Sequence, residues 1–294
     1  MNLLLDGRVV RSATGDEDEG LSWKGWDVRE LRGKRARLQI VDPRSDGWGH
    51  INVDHILLAD APARSAGESV LWADFGPDFY AAVSWSDLPK RRIWIGWMSN
   101  WQYAGKLPTS PWRGAMSIPR ELSLGQTKEG LRLVQKPVRE LERLRGPEKD
   151  WSAPGGVEEL NKAIAAADVG SSYEFLLDVS VPANGSAGFR IGGTAFRCDG
   201  QTWELLYTRA GSEAEQLHRD FPKTESIPIE FTDQTVQFHV YVDASSIEVF
   251  ADHGTRAITS LNFPSRENQA LEIFATNDAK IRSLKLWLLK PAWK

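Results

Sequence analysis

The stretch between residues 71 and 124 limits the possible folds most, because six of the chain's 13 tryptophans are concentrated in it. Two runs in this stretch, Phe79–Trp85 and Arg92–Met98, are rich in the aromatic and β-branched residues that strands favour. A polar and aromatic segment, Ser99–Tyr103, follows the second run, and a proline-rich segment, Leu107–Trp112, leads to another strand-like run. The stretch therefore predicts β-strands that end in loops rich in Trp, Asn, Gln and Tyr.

Loops of this composition are suited to binding sugars. Flat aromatic rings cover the apolar C–H faces of a sugar, and amide side chains hydrogen-bond its hydroxyl groups. Because binding residues are concentrated on loops, we interpret Asn100, Trp101 and Gln102 as candidates for ligand contacts. Three other tryptophans lie in strand-like sequence, where a place in the core is the favoured interpretation: Trp72, Trp85 and Trp94.

The composition is that of an ordinary globular protein, and alternating patterns broken by Gly, Pro, Asn and Asp predict an all-β fold. A length of 294 residues allows two domains. The net charge of −4, without a basic stripe, argues against a nucleic-acid partner, whereas an uncharged sugar is compatible with it. No run is long and apolar enough to span a membrane, and the N-terminus lacks the pattern of a signal peptide.

Neither a metal site nor a cofactor is predicted. The single cysteine, Cys198, allows no internal disulfide and suggests no cysteine-based metal site. His50, Asp54 and His55 are close in sequence, but on a strand His55 points to the opposite face from the other two, so they form no convincing ligand set. Asp42 and Asp46 lie in a turn-rich loop, and their carboxylates could bind a cation, although Asp is a frequent turn residue in any case.

The N-terminal segment, residues 1–60, begins with a strand, an Asp-Gly turn and a second strand. Two further strands are predicted at Ala36–Val41 and His50–Leu58. Ala61–Ser69 is a linker of small residues that separates this segment from the tryptophan-rich stretch.

The segment after the tryptophan-rich stretch, residues 131–150, carries Val138, Leu141 and Leu144 at helical spacing with charges between them. This spacing predicts a short amphipathic linker helix that Pro137 starts. Residues 151–294 then alternate strongly. Strands are predicted there at Ser172–Val181, Gly188–Ile191, Thr202–Tyr207, Thr235–Val242, Ser246–Phe250, Ala257–Phe263, Leu271–Thr276 and Ile281–Leu289.

Two segments, DFGPDFYA at Asp74–Ala81 and RRIWIGWMSNWQYAGKLPTSPWRGAMSIPREL at Arg91–Leu122, resemble the later propeller blades of glycoside hydrolase family 32. That family contains levanases, inulinases and invertases. The run VQFHVYVDASSIEVFADHGTRAITSLNFP is similar to the family's C-terminal sandwich. The resemblance implies the last blades of a five-bladed β-propeller at 67–130, a β-sandwich at 151–294, and hydrolysis of β-fructofuranosyl bonds in levan, inulin or sucrose.

The phrase IVDPRSDGWGHINVDHILLAD resembles the end of the lectin-like jelly-roll module that is attached to, or inserted in, some bacterial fructan hydrolases. The resemblance implies that residues 1–60 are the closing strands of such a module.

The resemblance also implies four substrate-binding residues. Asp78 and Tyr80 belong to a turn that the family places near the mouth of the propeller funnel. Asn100 and Trp101 fall where the family sets an aromatic residue against the fructosyl unit.

Other charged residues are expected to be structural. By resemblance, Arg113, Arg120 and Glu121 belong to the seam between propeller and sandwich. Asp243 and Glu248 are expected in turns and on the surface rather than in catalysis.

No catalytic residue is assigned. The family's Trp-Met-Asn-Asp-Pro nucleophile segment, Arg-Asp-Pro segment and Glu-Cys acid/base segment come from early blades, and none of them occurs in this sequence. Cys198, for example, follows Arg197 rather than Glu. Retaining hydrolysis needs a carboxylate nucleophile and a carboxylic acid about 5–5.5 Å apart. We therefore expect the C-terminal part of a larger fructan hydrolase, without hydrolase activity of its own.

Two alternatives remain open. The chain could be an accessory protein that binds fructans without cleaving them, or a non-functional truncation in which only the sandwich folds. The sequence predicts neither the preferred fructan nor the localisation, although polymer-degrading relatives are commonly secreted or periplasmic.

Overall fold

The computed structural model describes residues 1–15, 21–45, 49–61, 71–128, 130–152, 155–210, 216–231, 233–265 and 269–292. The chain divides into two compact units, Met1–Val70 and Leu71–Lys294. Regular structure in the described residues is almost entirely β, as predicted, with 19 strands and one α-helix. Within that part of the chain, no helix has both the length and the apolar composition that a membrane span needs.

The first unit contains a small antiparallel sheet with the order β2–β1–β3. Its strands are β1 (Asn2–Leu5), β2 (Arg8–Ser12) and β3 (Ala36–Gln39). The predicted hairpin and the strand that begins at residue 36 are thus confirmed. A short 3-10 helix, Arg29–Leu31, precedes β3.

The strand predicted at His50–Leu58 is wrong. These residues are exposed and contain no strand. Alternation alone does not stabilise an extended segment, because a strand needs a neighbour that completes its ladder of hydrogen bonds. His55 and Asp54 contact each other, with 3.0 Å between Nδ1 and Oδ2, while Asp46 and nearly all of the linker Ala61–Ser69 lie outside the described residues.

The second unit begins with what we call the blade sheet, in the order β4–β5–β7–β8 with β6 also paired to β5. Its strands are antiparallel: β4 (Tyr80–Ser84), β5 (Arg92–Met98), β6 (Ala115–Met116), β7 (Arg120–Thr127) and β8 (Gly130–Pro137). The run predicted at Arg92–Met98 is confirmed as β5.

The linker helix predicted within residues 131–150 is present only as a short 3-10 helix, and strands fill the rest of the segment. The start of this segment is β8, a 3-10 helix covers only Arg139–Leu144, and β9 (Arg145–Ser152) follows directly. The residues at helical spacing agree with this short helix, since Val138 caps it and Leu141 and Leu144 lie in it. On either side, β8 completes eight residue pairs with β7, and β9 joins the sandwich beside β19 (Lys280–Leu289). Strand pairing therefore limits the helix to these few residues.

The rest of the second unit is a two-sheet sandwich, as predicted. Its first sheet has six strands in the order β17–β16–β15–β10–β19–β9. Besides β9 and β19, these are β10 (Tyr173–Ser180), β15 (Thr235–Asp243), β16 (Ser246–Ala251) and β17 (Arg256–Leu261). The second sheet has five strands in the order β14–β13–β12–β11–β18. These are β11 (Ser186–Ile191), β12 (Thr194–Asp199), β13 (Glu204–Arg209), β14 (Lys223–Pro228) and β18 (Leu271–Thr276).

The main core lies between these two sheets. Its centre is a set of fully buried aromatic rings in edge and stacked contacts: Phe175, Phe189, Phe196, Tyr207 and Phe238. The helix α1 (Val157–Ala166), which the sequence did not predict, inserts Leu160 and Ile164 into the same core. Two strands, β12 and β14, were also missed.

The tryptophans assigned to the core behave differently from one another. Trp94 is half-buried and packs on Phe79, with ring centroids 5.6 Å apart. The prediction is wrong for Trp72 and Trp85, which are exposed in this chain. Strand β4 is an edge strand of the blade sheet and all of it is exposed, so the apolar side chains beside it have no covering layer among the described residues.

Candidate functional site

Three aromatic side chains form a continuous patch at one end of the blade sheet, and we call them the aromatic cluster: Tyr80, Trp97 and Trp101. Tyr80 and Trp97 are cross-strand partners on β4 and β5, with ring centroids 6.1 Å apart in an edge arrangement. Trp101 lies 5.0 Å from Trp97 and is 74% exposed. The predicted residues Tyr80 and Trp101 are therefore brought together, with Trp97 joining them.

The loop that carries Trp101 is shaped by Asn100. Its side-chain Nδ2 donates to the backbone oxygen of Pro77 at 3.0 Å, and its Oδ1 accepts from the backbone N–H of Gln102 at 3.0 Å. The backbone oxygen of Asn100 also accepts from Tyr103 at 3.1 Å. Asn100 is thus adjacent to the aromatic cluster, and most of its hydrogen-bonding capacity is used in holding the loop.

Asp78 occupies a different place from the one expected at the mouth of a funnel. Its side chain is fully buried, and it accepts hydrogen bonds from Arg209 Nη1 at 2.6 Å and from the backbone N–H of Leu261 at 2.8 Å. Tyr103 Oη donates to its other carboxylate oxygen. The Asp78 carboxylate therefore joins the blade sheet to the sandwich and faces no solvent.

Tyr103 fixes the far end of the same loop. Its ring is 1% exposed and packs edge-on against Phe221 of the sandwich, with centroids 5.1 Å apart. Arg209 donates from Nη2 to Tyr103 Oη at 3.0 Å and lies 3.7 Å from the centre of the Phe221 ring. Burial, helped by the Asp78 charge, raises the pKa of Tyr103, so its hydroxyl stays protonated and donates to Asp78.

A second buried network crosses the same seam. Arg120 donates to Asp74 Oδ2 at 2.8 Å and to Glu248 Oε2 at 2.7 Å, and it also contacts Thr259 Oγ1. The expected place of Arg120 at the seam is confirmed. Burial raises the pKa of Glu248, an effect that the Arg120 charge opposes. The prediction that Glu248 is a surface turn residue is wrong, since Arg120 and the backbone of Ile118 hold its buried carboxylate.

The other two residues expected at the seam make different contacts. Glu121 accepts from Arg91 Nε at 2.8 Å, and Arg91 also binds Glu140. Arg113 donates to the backbone oxygens of Gly105 and Leu107 at 2.8 and 3.2 Å. Both residues therefore brace the blade sheet and its loops rather than the sandwich.

Among the described residues, each buried carboxylate is committed to an ion pair. Besides the three at the seam, Glu174 on β10 is fully buried and accepts from Arg145 at 2.5 and 2.7 Å and from His239 at 2.6 Å. Burial would raise the pKa of Glu174, but these hydrogen bonds outweigh it and hold the value at about 2. In retaining hydrolysis one carboxyl group must be protonated near neutral pH, and Glu174 at this value is not suited to that role.

The described residues hold no group of three or more His, Cys, Asp or Glu side chains that could bind a metal ion. Cys198 is fully buried among the apolar residues of the sandwich, and burial raises the pKa of its thiol. The groups of this site that solvent reaches most freely are the rings of Trp101 and Tyr80.

The sequence did not single out three residues of this site, although signals for two of them were present. Trp97 shares one face of β5 with Ile93 and Ile95, but a bulge in the pairing of β4 with β5 hid its position opposite Tyr80. Arg209 shares the inward face of β13 with Tyr207, and a charge on an inward face indicates a buried ion pair. Nothing in the sequence indicated that Tyr103 would reach the sandwich.

Comparison with known proteins gives two adjoining matches to family models. The model described as the glycosyl hydrolases family 32 N-terminal domain matches residues 46–137, and the one described as the family 32 C terminal matches residues 140–288. The first match starts inside the segment that the sequence analysis placed in a lectin-like module, and the domain boundaries stay a prediction.

The similar curated proteins agree with these family matches. A levanase of Bacillus subtilis (strain 168) is 41% identical over 76% of this chain and 35% of its own length. A protein of Aspergillus rugulosus described as a glycosyl hydrolase is 33% identical over 100% of this chain and 43% of its own. The extracellular exo-inulinase inuE of Aspergillus niger is 31% identical over 75% of this chain and 43% of its own. The chain spans less than half the length of each relative.

Among solved structures, the exo-inulinase from Aspergillus awamori superposes with a TM-score of 0.63 at 24% identity, over 76% of this chain and 45% of that one. A β-fructofuranosidase from Schwanniomyces occidentalis gives a TM-score of 0.58 at 18% identity, over 74% and 49%. These superpositions show that the fold is shared.

Proposed function

Because this chain belongs to glycosyl hydrolase family 32, we propose that it acts in fructan degradation and supplies part of a sugar-binding surface together with its structural support. The matched relatives named levanase and exo-inulinase support a β-fructan as the ligand. Hydrolysis of β-fructofuranosyl bonds is the activity that we propose for the whole enzyme.

The exposed aromatic cluster carries this proposal. Its two tryptophans and one tyrosine present ring faces and edges in a patch that solvent reaches. Tyr80 and Trp97 lie on paired strands, and buried hydrogen bonds hold the loop that carries Trp101. Rings held in this way lose little conformational freedom when a sugar packs on them, so the contact favours binding.

The buried carboxylates support a division of roles. Asp74, Asp78, Glu174 and Glu248 all pair with arginines, so each is engaged in structure rather than directed at a ligand. We propose that this chain alone binds fructan without hydrolysing it. The same observation favours the second candidate function, a non-catalytic fructan-binding protein.

The first prediction tests the aromatic cluster. Trp101→Ala removes the most exposed ring, and we expect the dissociation constant for levan to rise about fivefold, since one such aromatic contact contributes about 1 kcal/mol. Affinity electrophoresis in gels with increasing levan measures this constant. Trp203→Ala is the matched control, because Trp203 is also well exposed (47%) but lies on the sandwich.

If levan retards the Trp101→Ala and Trp203→Ala chains equally, the binding role of the aromatic cluster is contradicted. Release of fructose from levan by the purified chain would contradict the assignment of catalysis to residues outside it.

A further inference from the structure

A groove of about 490 Å³ lies on the outer face of the five-stranded sheet, away from the core side of the sandwich. We call it the sandwich groove. Its lining includes Arg190, Ala195, Arg197, Leu206, Thr208 and Phe274. None of these residues belongs to the aromatic cluster or to the two buried networks at the seam.

A glycine, Gly188, lies in the middle of a row of residues that crosses the groove. In the sheet register Gly188 lies between Phe274 on β18 and Arg197 on β12, and Leu206 on β13 continues the same row. A Cβ at Gly188 would lie 1.9 Å from the backbone oxygen of Phe196, so this position excludes any side chain. The row therefore contains a gap with a half-buried ring on one side and a guanidinium on the other.

The walls of the groove carry balanced charge. Arg190 pairs with Glu272 at 3.5 Å, and Arg197 pairs with Asp199 at 3.6 Å. Because each arginine has a carboxylate beside it, the groove is not a strong anion site.

Hydroxyl groups line one end of the groove. Ser186 and Thr276 are hydrogen-bonded to each other at 2.8 Å, and each can also bond to a ligand hydroxyl. The central strands under the groove, β11 and β12, are paired on both sides, so their backbones offer no free hydrogen-bonding groups to a ligand. A ligand that lies over these two strands is therefore recognised through side chains.

We propose that the sandwich groove is a second carbohydrate-binding site, which takes a neutral oligosaccharide chain. The Phe274 ring and Leu206 contact the apolar face of a sugar, and the hydroxyl and guanidinium groups around them bind its hydroxyls. The choice of fructan as that chain rests on the proposed function. A polymer that engages both the groove and the aromatic cluster is held more tightly than by either alone.

The experiment uses the full chain with Trp101→Ala, so that the groove is measured without the most exposed ring of the cluster. Affinity electrophoresis is run in levan, inulin, dextran and polygalacturonate. We expect the Trp101→Ala chain to stay retarded by levan. Adding Phe274→Ala or Arg197→Ala should raise the dissociation constant about threefold to tenfold, as for one lost aromatic or guanidinium contact.

Thr224→Ala is the matched control, because Thr224 is exposed on the same sheet face, beside Thr208 but outside the groove. The proposal is overturned if levan retards the Trp101→Ala chain equally after Phe274→Ala, Arg197→Ala or Thr224→Ala is added. It is also overturned if polygalacturonate retards the chain more strongly than every neutral polymer does. Retardation by dextran but not by the fructans would keep the groove as a sugar site and reject fructan as its ligand. Failure of the proposed function is seen separately, as equal levan binding by wild type and Trp101→Ala.

Discussion

At the scale of single residues, the aromatic cluster depends on an arginine that lies outside it. Arg209 binds the carboxylate of Asp78, the hydroxyl of Tyr103 and the backbone oxygens of Phe221 and Leu261, all in a buried setting. Tyr103 ends the loop that presents Trp101. The Arg209 guanidinium of the sandwich therefore helps to position the loop that carries Trp101, which fits a supporting role for this domain.

The second prediction concerns this guanidinium. Arg209→Met leaves the Asp78 carboxylate buried and uncompensated, so we expect the free energy of unfolding to fall by about 3–5 kcal/mol. Urea denaturation measures the change. Lys162→Met is the control, because it breaks an exposed ion pair with Glu158 and should leave the denaturation midpoint where it was.

Adding Asp78→Asn to Arg209→Met should restore part of the loss, since the unpaired charge is then gone. A midpoint for Arg209→Met that matches the wild type would show that the buried pair is not what holds the loop.

At the scale of elements, the turn between β16 and β17 locks the blade sheet against the sandwich. This 3-10 turn, Asp252–Gly254, packs on β8. Gly254 has a φ of +92°, and a Cβ there would lie 2.1 Å from the backbone oxygen of Gln135. The close approach of two backbones requires glycine at this position.

The third prediction follows from that approach. Gly254→Ala should lower the free energy of unfolding by about 1–3 kcal/mol from backbone strain alone, with the collision adding to it. Thermal unfolding followed by circular dichroism measures the effect. Gly105→Ala serves as control, because a Cβ at Gly105 meets nothing within 4 Å. If the Gly254→Ala chain unfolds at the same temperature as the Gly105→Ala control, the turn can move away from β8.

Elements with a clear local pattern were predicted well, and those defined by pairing were not. The run Arg92–Met98 combines alternation with aromatic residues, and it became β5 with the predicted ends. Strand β14 (Lys223–Pro228) has a mixed polar sequence, and its place at a sheet edge gives no apolar pattern to detect. The helical spacing of Val138, Leu141 and Leu144 marked a real 3-10 helix, Arg139–Leu144, but the strands on either side of it gave no comparable signal.

In the candidate site, too, residues with a local signal were predictable and residues defined by long-range contacts were not. Tyr80 and Trp101 could be proposed from residue type and family resemblance, because exposed aromatic residues near loop ends favour sugar contacts. Asp78 looked equivalent in sequence, yet its carboxylate faces Arg209, which is 131 positions further along the chain. Contacts over such distances leave no local signal, so the buried role of Asp78 could not be read from its neighbours.

At the scale of the whole second unit, the blade sheet and the sandwich share buried charge. Arg120 from β7 meets Glu248 from β16, and Asp78 meets Arg209 from β13. Separating the two parts would expose four charges that now satisfy one another, in addition to the apolar contacts around Phe221. The seam therefore makes independent unfolding of either part costly.

The fourth prediction is that these two parts unfold together. Tryptophan fluorescence gives more weight to the blade sheet and its loops, because residues 71–124 hold six of the chain's 13 tryptophans and residues 151–294 hold four. Far-ultraviolet circular dichroism reports mainly the sandwich strands. The two urea transitions should coincide within error. Arg120→Met should separate them or shift both, whereas an early fluorescence transition in the wild type would favour the alternative in which only the sandwich folds.

The geometry of the aromatic cluster has an optical consequence. The indoles of Trp97 and Trp101 lie 5.0 Å apart at an angle of 49°, close enough for their ultraviolet transitions to couple. Coupled indoles give a pair of circular dichroism bands of opposite sign, whose size depends on the angle between the rings. A ligand that binds to Trp101 and tilts its ring changes those bands. Ligand binding at the cluster can therefore be followed by circular dichroism with no added label.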